Sequence, residues 1–270
     1  MKRVAINGVA GRMGRELVIA LTRRDDLQLA AAYDAPGGTT LGQDAGRLAG
    51  VDDVGVLVAE SNAIDASAVD VIVDFSSPTA CIEAVKRARE AGTAVVIGTT
   101  GQSAEQQNEI DQAADVIAIV QAPNYSAGVN LTLDLIQTAA KALGDSVDIE
   151  IIEAHHRNKV DAPSGTALKM GQIIAEATDR NLAEDAIYAR QGHTGARNRH
   201  TIGFQTIRGG DIVGEHTVLF AGDGERVEIT HKASSRQTFA GGAVRAAAWA
   251  VENPPGHYDM ADVLGLRQRT

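Results

Sequence analysis

Cysteine is almost absent from this chain: Cys81 is the single one in 270 residues. That excludes an intramolecular disulfide framework and suits a reducing compartment. Its setting, Pro78-Thr79-Ala80-Cys81-Ile82, opens a helical pattern with no histidine close in sequence, so it reads as a buried, inert thiol rather than a nucleophile. Aromatic residues make up only 3%, which favours packed α/β layers over a surface for stacking bases. Net positive charge is lacking too, and a formal charge of −10 argues against nucleic acid or an anionic membrane surface as partner. No run is long or apolar enough to cross a bilayer. Lys2-Arg3 is followed by only Val4-Ala5-Ile6 before Asn7-Gly8, so the signal-peptide pattern fails as well. A soluble, cytoplasmic protein is expected.

What is present is an ample apolar complement, 44% of residues, in a chain long enough for two domains. Through the first half, strand-like runs alternate with helical patterns: Val4–Ile6, Leu27–Tyr33, Val56–Val58, Val69–Phe75, Ala94–Ile97 and Ile117–Val120. Such alternation predicts a parallel sheet with helices on both faces. After the first run comes Gly8-Val9-Ala10-Gly11-Arg12-Met13-Gly14, then an apolar-periodic stretch. Strand, glycine turn and helix in that order suit a pyrophosphate, held by the free N–H groups and positive end of the helix. The spacing is GxxGxxG, and glycine turns also join strands to helices for steric reasons alone. Asp34, closing the second run about twenty residues beyond the last glycine, adds a carboxylate placed to accept both ribose hydroxyls of an adenosine. Further polar turns end the later strands: Asp74-Phe75-Ser76-Ser77-Pro78, Gly98-Thr99-Thr100-Gly101 and Ala122-Pro123-Asn124-Tyr125-Ser126. Ligands of open α/β sheets bind at that edge.

The densest chemistry lies at Glu153–Ala167, where His155, His156, Arg157 and Lys159 precede a Pro163-Ser164-Gly165-Thr166 turn. Ile149–Ile152 upstream reads as a buried strand, and Leu168, Ile173 and Ile174 downstream begin an amphipathic helix, so the cluster is placed on the loop between them. Two imidazoles, two cations and a helix start suit a small, multiply anionic ligand. A helix through Leu131–Leu143 precedes this strand. The runs Ile202–Ile207, Ile212–Phe220 and Arg226–Ala233 follow, separated by Arg208-Gly209-Gly210-Asp211 and Gly222-Asp223-Gly224-Glu225, which predicts antiparallel hairpins. A sheet with helices mainly on one side leaves a face for a second copy to cover, so a homo-oligomer is expected. Thr238–Val251 reads as a small-residue helix. His193, His200, His216 and His231 are scattered, with surface or hydrogen-bonding roles. Metal hydrolysis fits poorly, because His155 and His156 are neighbours rather than i, i+4 ligands and no HExxH occurs; no metal is expected. A cofactor-sensing regulator would keep the glycine turn but has no use for His155, His156 and Lys159 together. Another two-domain nicotinamide oxidoreductase stays open on these features.

The segments Gly8–Gly14, Val96-Ile97-Gly98-Thr99-Thr100-Gly101 and Glu153–Ala167, with Gly192-His193-Thr194-Gly195, Gly209-Gly210 to His216 and Thr230-His231-Lys232-Ala233-Ser234-Ser235-Arg236, closely resemble the bacterial dihydrodipicolinate reductase family over essentially the whole chain. The resemblance implies an α/β fold: a Rossmann-type, doubly wound parallel sheet over 1–126, an α+β domain with a mixed, largely antiparallel sheet for substrate binding and oligomerisation over 127–236, and a C-terminal helical segment, 237–270, returning to the first domain. It implies an NAD(P)H-dependent reductase of the diaminopimelate route to lysine, acting on a cyclic dicarboxylate and assembled as a homotetramer. Carried over by position, the acid/base falls on His155 and the proton donor on Lys159. Substrate contacts fall on His156, Gly165 and Thr166. Cofactor contacts fall on Gly8, Val9, Ala10, Gly11, Arg12, Met13 and Asp34, on Gly98, Thr99 and Thr100, and on Ala122, Pro123, Asn124 and Tyr125. One departure bears on cofactor choice. Many members follow the acid of the second strand with an arginine, whereas Asp34 is followed by Ala35-Pro36-Gly37-Gly38, and Ser76-Ser77-Pro78 offers hydroxyls where some relatives present arginine. NADH is therefore expected to be used at least as well as NADPH, unless Arg12, in the glycine turn and long enough to swing toward a 2′-phosphate, rescues NADPH binding.

Overall fold

A computed structural model describes residues 1–235 and 237–267; Arg236 and the end of the C-terminal segment lie outside the described residues. The chain divides into two compact units, one formed by Met1–Ala127 with the segment from Gln237 onward, the other beginning at Gly128.

The first unit opens with β1 (Lys2–Asn7), α1 (Arg12–Leu21), β2 (Leu27–Asp34), α2 (Ala45–Ala49), β3 (Val58–Glu60), β4 (Val71–Asp74), α3 (Pro78–Ala91), β5 (Ala94–Ile97), α4 (Ala104–Ala114) and β6 (Ala118–Gln121). The strands β1, β4 and β5 are short and buried at nearly every position, which is what a sheet covered on both faces demands. Ser77 caps α3, its side chain accepting from the Ala80 amide, with Pro78 in the first turn, and Ser103 caps α4 in a reciprocal box with Gln106. These caps set where the helices leave the strand ends.

The second unit contains α5 (Ala127–Leu143), β7 (Asp148–His155), α6 (Gly165–Ala177), α7 (Leu182–Asp185), β8 (Ala186–Ile187), β9 (Ile202–Arg208), β10 (Gly214–Ala221) and β11 (Arg226–Ala233). Its five strands run in the order β11-β10-β7-β9-β8. β10 pairs antiparallel with β11 and β7, whereas β7–β9 and β8–β9 are parallel. The expected hairpin across Arg208–Asp211 therefore does not form. β7 is inserted between β9 and β10, and the turn crosses its end, the Gly209 amide donating to the His155 carbonyl at 3.0 Å. Alternation and turn chemistry describe each strand but do not choose its neighbour, and the central place goes to β7. The core of this unit lies on one face of the sheet, where Ile149, Ile151, Phe204, Val218 and Phe220 meet Ile136, Met170 and Ile174 of the helices. β7 also extends to His155 itself, so the first imidazole sits on a strand end rather than in the loop.

The chain then rejoins the first unit through α8 (Gln237–Ala250), β12 (Gly256–Tyr258) and α9 (Met260–Val263). The all-parallel sheet is ordered β12-β6-β5-β4-β1-β2-β3, with β12 paired to β6. One face is covered by α1 and α8, whose Ala240, Ala243, Val244 and Ala247 pack with Val4, Ile6, Val73 and Val96. The other is covered by α3 and α4. Strand order reverses between β1 and β4, the position where such sheets open a crevice.

Candidate active site

At that reversal the structure has a cavity of about 510 Å³ whose lining includes Gly8, Asp34, Pro36, Asn62, Ser76 and Arg87. The glycines are required by geometry. Gly8 has φ +87, and a Cβ there would stand 2.4 Å from the Phe75 carbonyl oxygen; one at Gly14 would stand 2.3 Å from the Gly8 oxygen. The first allows the turn and the last allows the helix to press against it. Gly11 precedes α1 without a side-chain cap, so the first amides of that helix are left for an anion. Val9 is fully buried in the core, so only its backbone can contribute. The Asp34 carboxylate is already oriented, one oxygen accepting from the Ala10 amide at 2.7 Å and the other from the Ala35 amide at 2.7 Å. A carboxylate has about four acceptor sites, which leaves capacity on both oxygens for a pair of hydroxyls.

Of the predicted cofactor residues, Gly8, Gly11 and Asp34 line this cavity. Gly98–Thr100 and Ala122–Tyr125 follow β5 and β6, outside its lining. They are nonetheless tied to it. A Cβ on Gly98 would lie 2.2 Å from the Phe75 ring, Phe75 packs on Tyr125 with centroids 5.7 Å apart, and the Tyr125 hydroxyl meets the Ile97 and Val120 carbonyls at 2.8 and 2.9 Å. Two features were not legible in sequence. Asp74 is fully buried and accepts from Asn7 Nδ2 at 2.6 Å, from Ser76 Oγ at 2.8 Å and from Thr99 Oγ1, binding the ends of β1, β4 and β5 together. Burial pushes its carboxyl up from the ordinary range against those hydrogen bonds. Arg87 reaches the cavity from α3, with Nη2 donating to the Asn62 carbonyl at 2.7 Å and Nη1 to that of Ile64 at 3.1 Å. Cys81 is fully buried, its thiol pushed up by burial and by nearby Asp74.

In the second unit His155 and Arg208 close on a buried carboxylate, Glu153. Glu153 is 1% exposed. It takes a fork of two hydrogen bonds from Arg208, each 2.8 Å, the Ser164 amide at 3.0 Å and His155 Nδ1 at 2.6 Å. Burial alone would raise its carboxyl, but the bonds from Arg208, His155 and Ser164 outweigh it and hold it below the ordinary value. His155 is drawn down, chiefly by burial, with Lys159 and Arg208 adding to this and Glu153 opposing it. Its ring meets that of His216 edge-on at 5.1 Å. Of the surface and hydrogen-bonding roles expected for His216, the structure has the second: it is buried, within 2.9 Å of Ser164 Oγ, and pushed down to about 4 by burial and then by His155. Ser164 caps α6, its Oγ accepting from the Ala167 amide at 3.2 Å. A Cβ on Gly165 would meet nothing within 4 Å, so the space before this helix start is open. Lys159 is not an isolated cation: Nζ donates to both oxygens of Asp161 at 2.8 Å, and Asp161 is held low by it. His156 is half-buried, and among the described residues its Nδ1 has no hydrogen-bond partner. Among the described residues no group of histidines, cysteines and carboxylates could hold a metal ion, and no helix is long and apolar enough to cross a membrane.

A parallel sheet with a glycine-shaped crevice at its reversal, in a chain that also carries a buried carboxylate–histidine cluster, defines the dinucleotide-binding oxidoreductases. Two family models match, dihydrodipicolinate reductase, N-terminus, over residues 2–125 and its C-terminus over 128–264. Curated 4-hydroxy-tetrahydrodipicolinate reductases from Acinetobacter baumannii and Alkalilimnicola ehrlichii are each 58% identical over 264 residues, 98% of this chain and 96% and 99% of theirs. A solved dipicolinate-bound dihydrodipicolinate reductase from Paenisporosarcina sp. TG-14 superposes with TM-score 0.78 at 26% identity, over 97% of this chain and 98% of that one. The chain belongs to the dihydrodipicolinate reductase family.

Proposed function

We infer that this protein reduces 4-hydroxy-tetrahydrodipicolinate, or its dehydrated form dihydrodipicolinate, to tetrahydrodipicolinate in the diaminopimelate route to lysine. The observation carrying this reading is the Glu153–His155–Ser164 cluster beside Lys159 and an open helix start, in a chain of this family. When bound, reduced nicotinamide supplies the hydride. The amides of Gly8–Met13 hold its pyrophosphate and Asp34 its ribose hydroxyls, with Gly98–Thr100 and Ala122–Tyr125 as the remaining contacts. The amides of Gly165 and Thr166, with His156, receive a substrate carboxylate. Hydride addition to the conjugated imine must be balanced by one proton, which Lys159 and His155 are positioned to deliver as donor and acid/base; the hydroxylated ring also loses water.

Asp34 suits a diol and would repel a 2′-phosphate, no cation follows it, and Arg87 gives two of its N–H groups to carbonyls. NADH is accordingly used at least as well as NADPH. The second unit's sheet carries Ile152, Leu219 and exposed Ile207 on the face away from its helices, which supports a homo-oligomer, a tetramer by family resemblance; the single cysteine suits a reducing cytoplasm. The test is an assay with the condensation product of pyruvate and aspartate semialdehyde and both reduced nicotinamides. Reduced nicotinamide should be consumed only when that product is present, and Ala35→Arg should move the kcat/KM ratio toward NADPH by about tenfold. A clear NADPH preference in the unmodified protein would point to Arg12 as phosphate ligand.

A further inference from the structure

We propose that Glu153 is the positioning residue of the acid–base centre: one buried carboxylate fixes the tautomer of His155 and anchors the helix start that receives the substrate, so that both are aligned by the same group. This rests on the reading of His155 as acid/base. An ionised carboxylate only accepts hydrogen bonds, so each group touching Glu153 must donate. Oε2 lies 2.6 Å from His155 Nδ1 and 2.8 Å from Arg208 Nη1; Oε1 takes the Ser164 amide at 3.0 Å, Arg208 Nη2 at 2.8 Å and, more weakly, Thr206 Oγ1 at 3.4 Å. The proton on His155 is thereby assigned to Nδ1, and Nε2 carries the lone pair. Among the described residues nothing bonds Nε2, and the residue facing it from β10 is Gly214, where a Cβ would stand only 3.1 Å away. Arg208 extends the same frame, Nη2 donating to the Asp161 carbonyl at 2.6 Å, so the loop carrying Lys159 is held by the group that holds Glu153.

The ionisable groups around His155 are Glu153 on its own strand, Lys159 and Asp161 on the loop, Arg208 on β9, His216 on β10 and His231 beyond it on β11. Replacing Glu153 by glutamine removes the anion that touches the ring while the cations stay. The first measurement is 15N NMR of the imidazoles in the unmodified protein, where His155 should be protonated at Nδ1 and bare at Nε2. In Glu153→Gln that preference should be lost, the inflection of the pH–rate profile assigned to His155 should move to lower pH, and kcat should fall roughly 10²–10⁴-fold with cofactor affinity unchanged. An Nε2–H tautomer in the unmodified protein overturns the proposal even if the variant does not fold. So does a Glu153→Gln enzyme with unchanged kcat and pH profile. His155→Asn in the same assay separates the two levels: if it keeps its turnover, the acid/base reading itself fails, whereas its loss beside an intact Glu153→Gln enzyme overturns only the positioning role.

Discussion

Lys159 and His216 sit in the same cluster, yet their surroundings give substitutions there opposite consequences. The Lys159–Asp161 pair is largely solvent-facing on the Asp161 side, and such pairs contribute only about 0–1 kcal/mol to stability. Lys159→Ala should therefore lower turnover roughly 10²–10⁴-fold while leaving Tm and cofactor affinity nearly unchanged, which steady-state kinetics beside a melting curve checks. His216 is a stability group. Its folded value, about 4, lies below the ordinary histidine value near 6.5, so the unfolded chain binds a proton first. Its contribution is whole above about pH 6.5, declines as pH falls, and is gone once pH passes below about 4, a loss on the order of 3 kcal/mol. Tm should fall over that window, and His216→Gln should flatten the dependence; an unchanged slope would show that another group titrates there. His155 and Lys159 were legible because they lie within five residues. Glu153 and Arg208 are 55 positions apart and Ser164 and His216 are 52 apart, so their meeting is decided by strand order alone.

Among the elements, two helix starts present glycine for different reasons, and substitution tells them apart. At α1 a Cβ on Gly14 would collide with backbone at 2.3 Å, whereas at α6 a Cβ on Gly165 enters open space. Gly14→Ala should cost about 1–3 kcal/mol of stability and weaken dinucleotide binding. Gly165→Val should fold normally, raise the substrate KM and spare the cofactor KM; a parallel rise in both constants would place Gly165 in a general folding role. The glycine turn, Asp34 and the alternation of strands and helices could be read from local pattern, since each is set by neighbours in sequence. The polar cluster of Asn7, Asp74, Ser76 and Thr99 could not, because it joins residues from three strand ends, those of β1, β4 and β5. The three-residue β12 gave no periodic signal, and its pairing with β6 depends on where α8 delivers the chain.

For the molecule as a whole, the second unit is an insertion in the first, whose core is completed by α8 and β12. A fragment ending at residue 127 should expose the apolar face that α8 covers and fail to unfold cooperatively. Joining 1–127 to 237–270 through a short flexible linker should restore a cooperative transition and dinucleotide binding, measured by calorimetry and titration. The join is short, because Gly242 lies so close to the Tyr125 carbonyl that a Cβ would stand 1.7 Å from its oxygen. Failure of the joined chain with success of the fragment would reverse the role given to α8. The insertion also separates the order of synthesis from the order of assembly. On a ribosome adding about 5–20 residues per second, the second unit has all its strands while the glycine turn near the amino terminus still waits, on the order of ten seconds, for the helix that closes its sheet. During that interval the part of the apolar sheet face that α8 covers stays open on the nascent chain, a surface of the kind that chaperones bind.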